Sequence, residues 1–190
     1  MDALAKLFCS SARLKLLRLF MFNDKMSFTA EDISFRTKTS TAVARKELHA
    51  LLSVGVIRKR GVRRATKYFA DKNFIYFDSL LLFLRETTVI GPKDVLTALG
   101  KAGSLRLVIL TGIFTGVIEP KIDLLIVGDK LEERALISAV RTIEADFGRE
   151  IRFATFSTED FRYRYGVYDR LLRDVFDYEH RTILDKIGIS

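Results

Sequence analysis

Six of the ten residues at positions 58–67 are cationic and none is acidic: Arg58, Lys59, Arg60, Arg63, Arg64 and Lys67. Such a density of cations binds phosphate, because each neutralised phosphate releases a condensed counterion. A solvated segment with a purely structural role intersperses acids to limit self-repulsion, and this one has none. Just upstream, Ser40, Thr41, Arg45, Lys46 and His49 combine hydroxyl, cationic and imidazole groups. That mix can hydrogen-bond base edges in a DNA major groove and the phosphates beside it. Lys38 precedes them and is expected to anchor the start of the element that carries them. Other chemistry is scarce. Cys9 is the one cysteine and has no His or Cys at ligand spacing, so neither an internal disulfide nor a zinc site is expected. Its expected role is that of a small buried apolar residue near a helix start.

The distribution of charge sharpens this reading. Residues 1–85 hold 17 Lys and Arg against 7 Asp and Glu, a balance of +10, whereas residues 86–190 hold 15 against 17, a balance of −2. Charge confined to one half implies that this half faces a polyanion. The 48% hydrophobic content, 15 Phe and only two Pro describe a chain that buries a core, and 190 residues leave room for two small domains. No apolar run approaches the roughly 18 residues of a membrane span, and no basic-then-apolar leader opens the chain. A cytoplasmic protein with no membrane partner is therefore expected.

The elements that must position the cations can be read from periodicity. Ser10 or Ser11 caps a helix whose Leu14, Leu16, Leu17, Leu19, Phe20 and Phe22 form a broad apolar face, ending at Asn23 and Asp24. Thr29 with Asp32 three residues on signals a second, short helix that stops near Thr37. After the polar turn at 38–41, a third helix places Val43, Leu48, Leu51 and Leu52 at helical spacing and ends at Gly55. Two β-prone runs then flank Gly61, which predicts a hairpin carrying the six cations.

The order helix, helix, turn, helix, hairpin, together with the run at 44–57 (ARKELHALLSVGVI), resembles the winged helix-turn-helix domains of prokaryotic transcriptional regulators, particularly the arsenic-repressor-like kind. The resemblance implies double-stranded DNA as partner and a two-fold homodimer that sets two recognition helices one helical turn apart. Metal-sensing members use cysteine pairs, which this chain lacks, so metal sensing is not expected. Residues 73–91 are dense in large apolar side chains and predict a connecting helix from about Tyr76, with dimerisation as the alternative to a core role. Gly91 and Pro92 then mark a junction. The division expected is 1–72, a DNA-binding domain; 73–91, a connecting helix; and 92–190, a second domain.

In the second half, a short helix near 93–101 precedes an apolar strand at 105–111, a turn with Gly112 and Gly116, a strand at 122–128, an amphipathic helix at 132–147 and a strand at 151–156. Strands alternating with helices predict a small α/β domain with a mixed sheet, and an α+β fold for the whole chain. The run at 110–129 resembles the minimal nucleotidyltransferase domain, whose active members carry Gly-Ser after the first strand, an Asp-x-Asp pair about ten residues on, and a third carboxylate on a later strand. Those acids hold the two metal ions of the reaction. Here Gly112 keeps the glycine, but Ile113 replaces the serine, Lys121 replaces the first acid, Asp123 alone remains, and 151–156 offers Arg152 and Thr155 but no acid. Glu119 is at best a weak substitute ligand. A degenerate domain is expected, with no catalytic residues, no metal and no cofactor, whose cleft serves a nucleotide or small-molecule effector or pairs subunits. The competing expectation is a Mg-dependent nucleotidyltransferase of toxin-antitoxin type. The aromatic residues of the tail, Phe161 to Tyr178 with Ile183 beyond, are read at helical spacing as core or dimer interface, with Arg162, Arg164, Arg170 and Arg173 offset by neighbouring acids.

Overall fold

A computed structural model describes residues 3–62, 66–88, 90–116 and 121–189, and shows an α+β chain with a small antiparallel sheet and a mixed four-stranded sheet. The chain divides into two compact units, Met1–Ile90 with Arg141–Arg149, and Gly91–Val140 with Glu150–Ser190.

The first unit opens with α1 (Ala3–Leu7), which periodicity did not reveal, and α2 (Ser11–Phe22), capped by Ser10, whose hydroxyl accepts from Arg13 N at 3.1 Å. Cys9, expected to be buried, is exposed: the chain passes it in the left-handed region at φ 57°, turning between two helices instead of starting one. Leu16 and Phe20 of α2 are fully buried and form the centre of the core. α3 (Ala30–Thr37) begins with a complete capping box: Thr29 Oγ1 accepts from Asp32 N, and Asp32 Oδ2 accepts from Thr29 N at 2.9 Å. α4 (Thr41–Val54) follows after three residues and ends at Gly55, whose φ of 84° suits a residue without a Cβ. Its inner face buries Ala44, Leu48 and Leu51.

β1 (Ile57–Arg60) and β2 (Lys67–Ala70) pair antiparallel in the register Ile57↔Ala70, Arg58↔Phe69, Lys59↔Tyr68, Arg60↔Lys67. The hairpin is stitched to the segment before α3 by a bridge in which Phe28 and Tyr68 exchange backbone hydrogen bonds of 2.9 and 2.8 Å. α5 (Phe77–Thr87) buries Phe77 and Leu84 in the same core, which gives this helix a core role, while Leu82 and Phe83 remain exposed. Arg141–Arg149 completes the unit: Gly148 lies against the α2 backbone so closely that a Cβ there would sit 2.6 Å from Arg18 Cβ, and Asn23 Nδ2 donates to Gly148 O at 2.7 Å.

The second unit begins with α6 (Pro92–Leu99), where proline occupies a first-turn position that needs no N–H donor. β3 (Ser104–Leu110), β4 (Leu124–Asp129), β5 (Phe153–Phe156) and β6 (Arg181–Asp185) form one sheet in the order β5-β4-β3-β6. β3 runs antiparallel to β4 and β6, and β4 parallel to β5. α7 (Glu133–Phe147) makes the crossover between the parallel pair, and its residues from Arg141 onward belong to the first unit. α8 (Thr158–Gly166) and α9 (Arg170–Phe176) lie on the sheet face that carries Leu107, Ile109, Leu125 and Val127, burying Phe161, Leu172 and Val175 there. The tail departs from the expected helical stripe. It breaks at Val167–Tyr168 and closes as strand β6, because alternating Thr182 and Leu184 pair with β3 backbone that needs a partner on its open edge.

Candidate nucleic-acid interface

The exposed stripe of α4 carries Thr41, Arg45, Lys46 and His49, turned away from the buried face at Ala44, Leu48 and Leu51. What holds the helix in that orientation is partly ionic. Glu47, 4% exposed, is met by Arg13 Nε of α2 at 2.8 Å, so the one acid of α4 is spent inward and the outer stripe has none. Arg45 has a loose partner in Glu31, at 3.9 Å between two side chains about 70% exposed. Exposed pairs of this kind contribute about 0–1 kcal/mol, so Arg45 is held only weakly.

Ser40 and Lys38, both expected as groove or anchoring contacts, build the turn. Ser40 caps α4, its Oγ accepting from Val43 N at 3.3 Å. Lys38 takes the left-handed conformation that ends α3, φ 50°, and its Nζ donates to Thr142 Oγ1 at 2.7 Å within the same unit. Hydroxyls fasten the rest: Thr37 Oγ1 donates to Ile33 O at 2.6 Å, and Ser34 Oγ to Thr39 O at 2.6 Å. These polar residues fix the angle between α3 and α4 and leave the outward chemistry to Arg45, Lys46 and His49.

On the hairpin, Arg58, Lys59, Arg60 and Lys67 are exposed. Arg58 is drawn back onto Asp71, Nε to Oδ2 at 2.5 Å, which takes it out of the free cation set expected for phosphate. Lys59, Arg60, Lys67 and, on α4, Lys46 have no ion pair among the described residues. Arg60 and Lys67 stand directly opposite each other across the hairpin, an arrangement of like charges that destabilises a bare sheet. Arg63 and Arg64 lie outside the described residues.

In the second unit, the four residues at 110–129 that carry the enzyme resemblance are placed as follows. Gly112 opens a single turn of 3-10 helix after β3, at φ 57°, and Ile113 follows it. Asp123, 1% exposed, has its carboxylate fully engaged. Oδ1 accepts from Ile113 N at 3.0 Å and Arg152 Nη2 at 3.3 Å, and Oδ2 from Arg152 N at 2.9 Å and Nε at 3.2 Å. Lys121 Nζ is ion-paired with Asp174 of α9. Glu119 lies outside the described residues. Among the described residues no three His, Cys, Asp or Glu side chains gather in a group able to hold a metal ion.

Two arrangements escaped the sequence reading. Arg152, in sequence only a non-acid on the later strand, is the partner of Asp123 at the start of the neighbouring parallel strand. The signal was available, since one acid and one base stand at the starts of two strands that a crossover helix makes parallel. The other is a cavity of about 290 Å3 between α8 and α9. Its mark in the sequence is Gly166 followed by Asp169, a helix end and a helix cap three residues apart. No family model, no curated protein and no solved structure matches this chain.

Proposed function

We propose that the first unit is a winged helix-turn-helix that binds double-stranded DNA, with α4 as its recognition helix and the β1–β2 hairpin as its wing. On this reading the chain is a transcriptional regulator that works as a homodimer, and its second unit is a nucleotidyltransferase-like domain that serves an effector or pairs subunits. One observation carries the proposal. Lys46, Lys59, Arg60 and Lys67 stand exposed without ion pairs among the described residues, on a helix and a hairpin whose own acids, Glu47 and Asp71, are turned to structural partners. Phosphate contacts would relieve the Arg60–Lys67 opposition that the bare hairpin retains.

The Asp123 corner supports the second part. A carboxylate that already accepts four hydrogen bonds, two from a guanidinium, has no free lone pair directed at a metal ion, and Arg152 neutralises it as a divalent cation would. Lys121, at the place of the first acid, is ion-paired with Asp174 and brings no carboxylate to Asp123. The reading therefore expects no Mg2+-dependent incorporation of label from any of the four nucleoside triphosphates.

The deciding measurement is fluorescence anisotropy of a random-sequence duplex against salt. Log affinity should fall linearly with log salt, with a slope of about −0.9 per phosphate contact. The double variant Arg60→Ala/Lys67→Ala should lower the magnitude of that slope by roughly 2 and weaken all duplexes alike. Lys46→Ala/His49→Ala should instead change the ranking of sequences recovered from a random pool. Undetectable or salt-independent association would overturn the proposal.

A further inference from the structure

The cavity between α8 and α9 has largely aromatic walls and a rim with two carboxylates and one guanidinium. Tyr165 and Phe176 meet edge to face, centroids 5.4 Å apart at 76°, and form a perpendicular corner; Tyr165 is backed by Phe161, stacked at 5.8 Å, and Phe176 by His180 at 5.4 Å. Leu172 closes the bottom, and Tyr168, 79% exposed, stands at the lip. Tyr168 is held at φ 56°, a left-handed conformation that disfavours a residue with a Cβ, because its N–H and that of Asp169 are tied to Tyr165 O and Arg164 O at 3.3 and 3.0 Å. The left-handed turn ends α8 and sets Tyr168 beside the first turn of α9.

The charged lining is Asp169, Asp177 and Arg173, a formal balance of −1. Asp169 accepts from the first amides of α9, Leu171 N at 2.8 Å and Leu172 N at 3.3 Å, and from Arg164 Nη1 at 3.2 Å. Burial opposes its ionisation, but those donors outweigh burial and hold its carboxyl below the ordinary range. The positive end of α9 is thus already answered by a carboxylate, which leaves an anionic ligand facing repulsion. Arg173 is drawn 3.6 Å from Asp177, both about 60% exposed, a loose pair that a competing cation can displace. Ring faces carry partial negative charge and attract cations that approach within about 6 Å.

We infer that the α8–α9 cavity binds a small organic cation with an apolar body, an alkylated ammonium, seated between the rings of Tyr165, Tyr168 and Phe176 and facing Asp177. Alkylation follows from the donor count: the walls are aromatic and aliphatic carbon, and the Asp169 oxygens already have partners, so a cation that brings few N–H donors loses least on leaving water. The volume, about 290 Å3, lies just below the roughly 300–1,000 Å3 of drug-sized ligand pockets and suits a small ligand. The assignment supplies the effector class for the regulator proposed above and rests on that reading only for its consequence on DNA, not for the binding itself.

The test uses the full chain. Hexyltrimethylammonium is titrated against it, with hexanol as the neutral and hexanoate as the anionic control, well below micelle-forming concentrations. The chain has no Trp, and four of its six Tyr lie at 163–178, so intrinsic tyrosine fluorescence reports locally; amide shifts confirm the place. Saturable binding of the cation, at least about tenfold tighter than hexanol, with shifts at 165–177, is expected. Asp177→Asn should weaken it about fivefold or more and Tyr168→Ala likewise, both at exposed positions, with an unchanged Tm as the control for folding. Equal affinity for cation and hexanol, tighter binding of hexanoate, or wild-type affinity in both variants would overturn the assignment. Duplex affinity is then measured with and without saturating cation. Loss of DNA binding altogether speaks against the regulator alone, and loss of cation binding against this site alone.

Discussion

At the scale of single residues, the balance is decided by which charges are left over. Glu47, Asp71, Asp123 and Asp174 each hold a cation, and what they do not hold is the set on the outer faces of α4 and the hairpin. Asp123 shows the cost of undoing such a pairing. Removing the guanidinium in Arg152→Ala leaves a buried carboxylate with two backbone donors and no counter-charge. Because Arg152 is half exposed and water can reach the gap, the expected loss is about 1–3 kcal/mol, below the full penalty of an orphaned buried ion. A fall in the urea midpoint with an unchanged m-value would show it; an unmoved midpoint would mean that the pair contributes nothing to stability.

At the scale of elements, α3 offers a test of the local code. The backbone N–H and hydroxyl of Thr29 hold the Asp32 carboxyl below its ordinary value, against a smaller opposing effect of burial. A carboxyl with a depressed folded value contributes stability that is fully present above its unfolded value, about 3.9, and is lost as the pH falls through the folded value. Asp32→Ala should therefore lower Tm at neutral pH, with a gap from wild type that closes below about pH 3.9. A gap that persists in acid would assign the loss to helix propensity or packing. Thr29→Ala should cost about 0.5–2 kcal/mol through the same box.

The caps, the helix periodicity and the hairpin were legible because they are local: Thr29 with Asp32, Ser10, Gly55, and the two β-prone runs around Gly61 all announce themselves within four residues. α1 was not, being a five-residue helix without an apolar period long enough to register. β6 was not, because a strand whose reason for existing is the open edge of β3, some 70 residues earlier, leaves a mixed pattern that also fits a helix. The site residues divide the same way. Type and spacing singled out the cations, but only the folded chain shows Arg58 withdrawn to Asp71, Ser40 spent on a cap and Lys38 occupied with Thr142.

At the scale of the whole molecule, the first unit is discontinuous in sequence. Arg141–Arg149 supplies Phe147 beside Phe22, centroids 6.4 Å apart, the Asp146 carbonyl for Arg18 Nη1 at 2.8 Å, and Gly148 against the α2 backbone. A fragment cut at Ile90 keeps every cation of the proposed interface, yet leaves the buried Arg18 without that acceptor. Its Tm is expected to lie several degrees below that of the first transition of the full chain, and adding a peptide of residues 133–149 in excess should recover part of the difference. A fragment as stable as the intact chain would mean that 141–149 lies on the unit without supporting it.

The same discontinuity sets an order on biosynthesis. At roughly 5–20 residues per second, a ribosome that has just delivered Ile90 needs about 3–12 s more to reach Arg149. Over that interval Phe22 and Arg18 wait without their final neighbours. The amino-terminal core of this chain is thus completed only after the strands β3 and β4 of the second unit have been made.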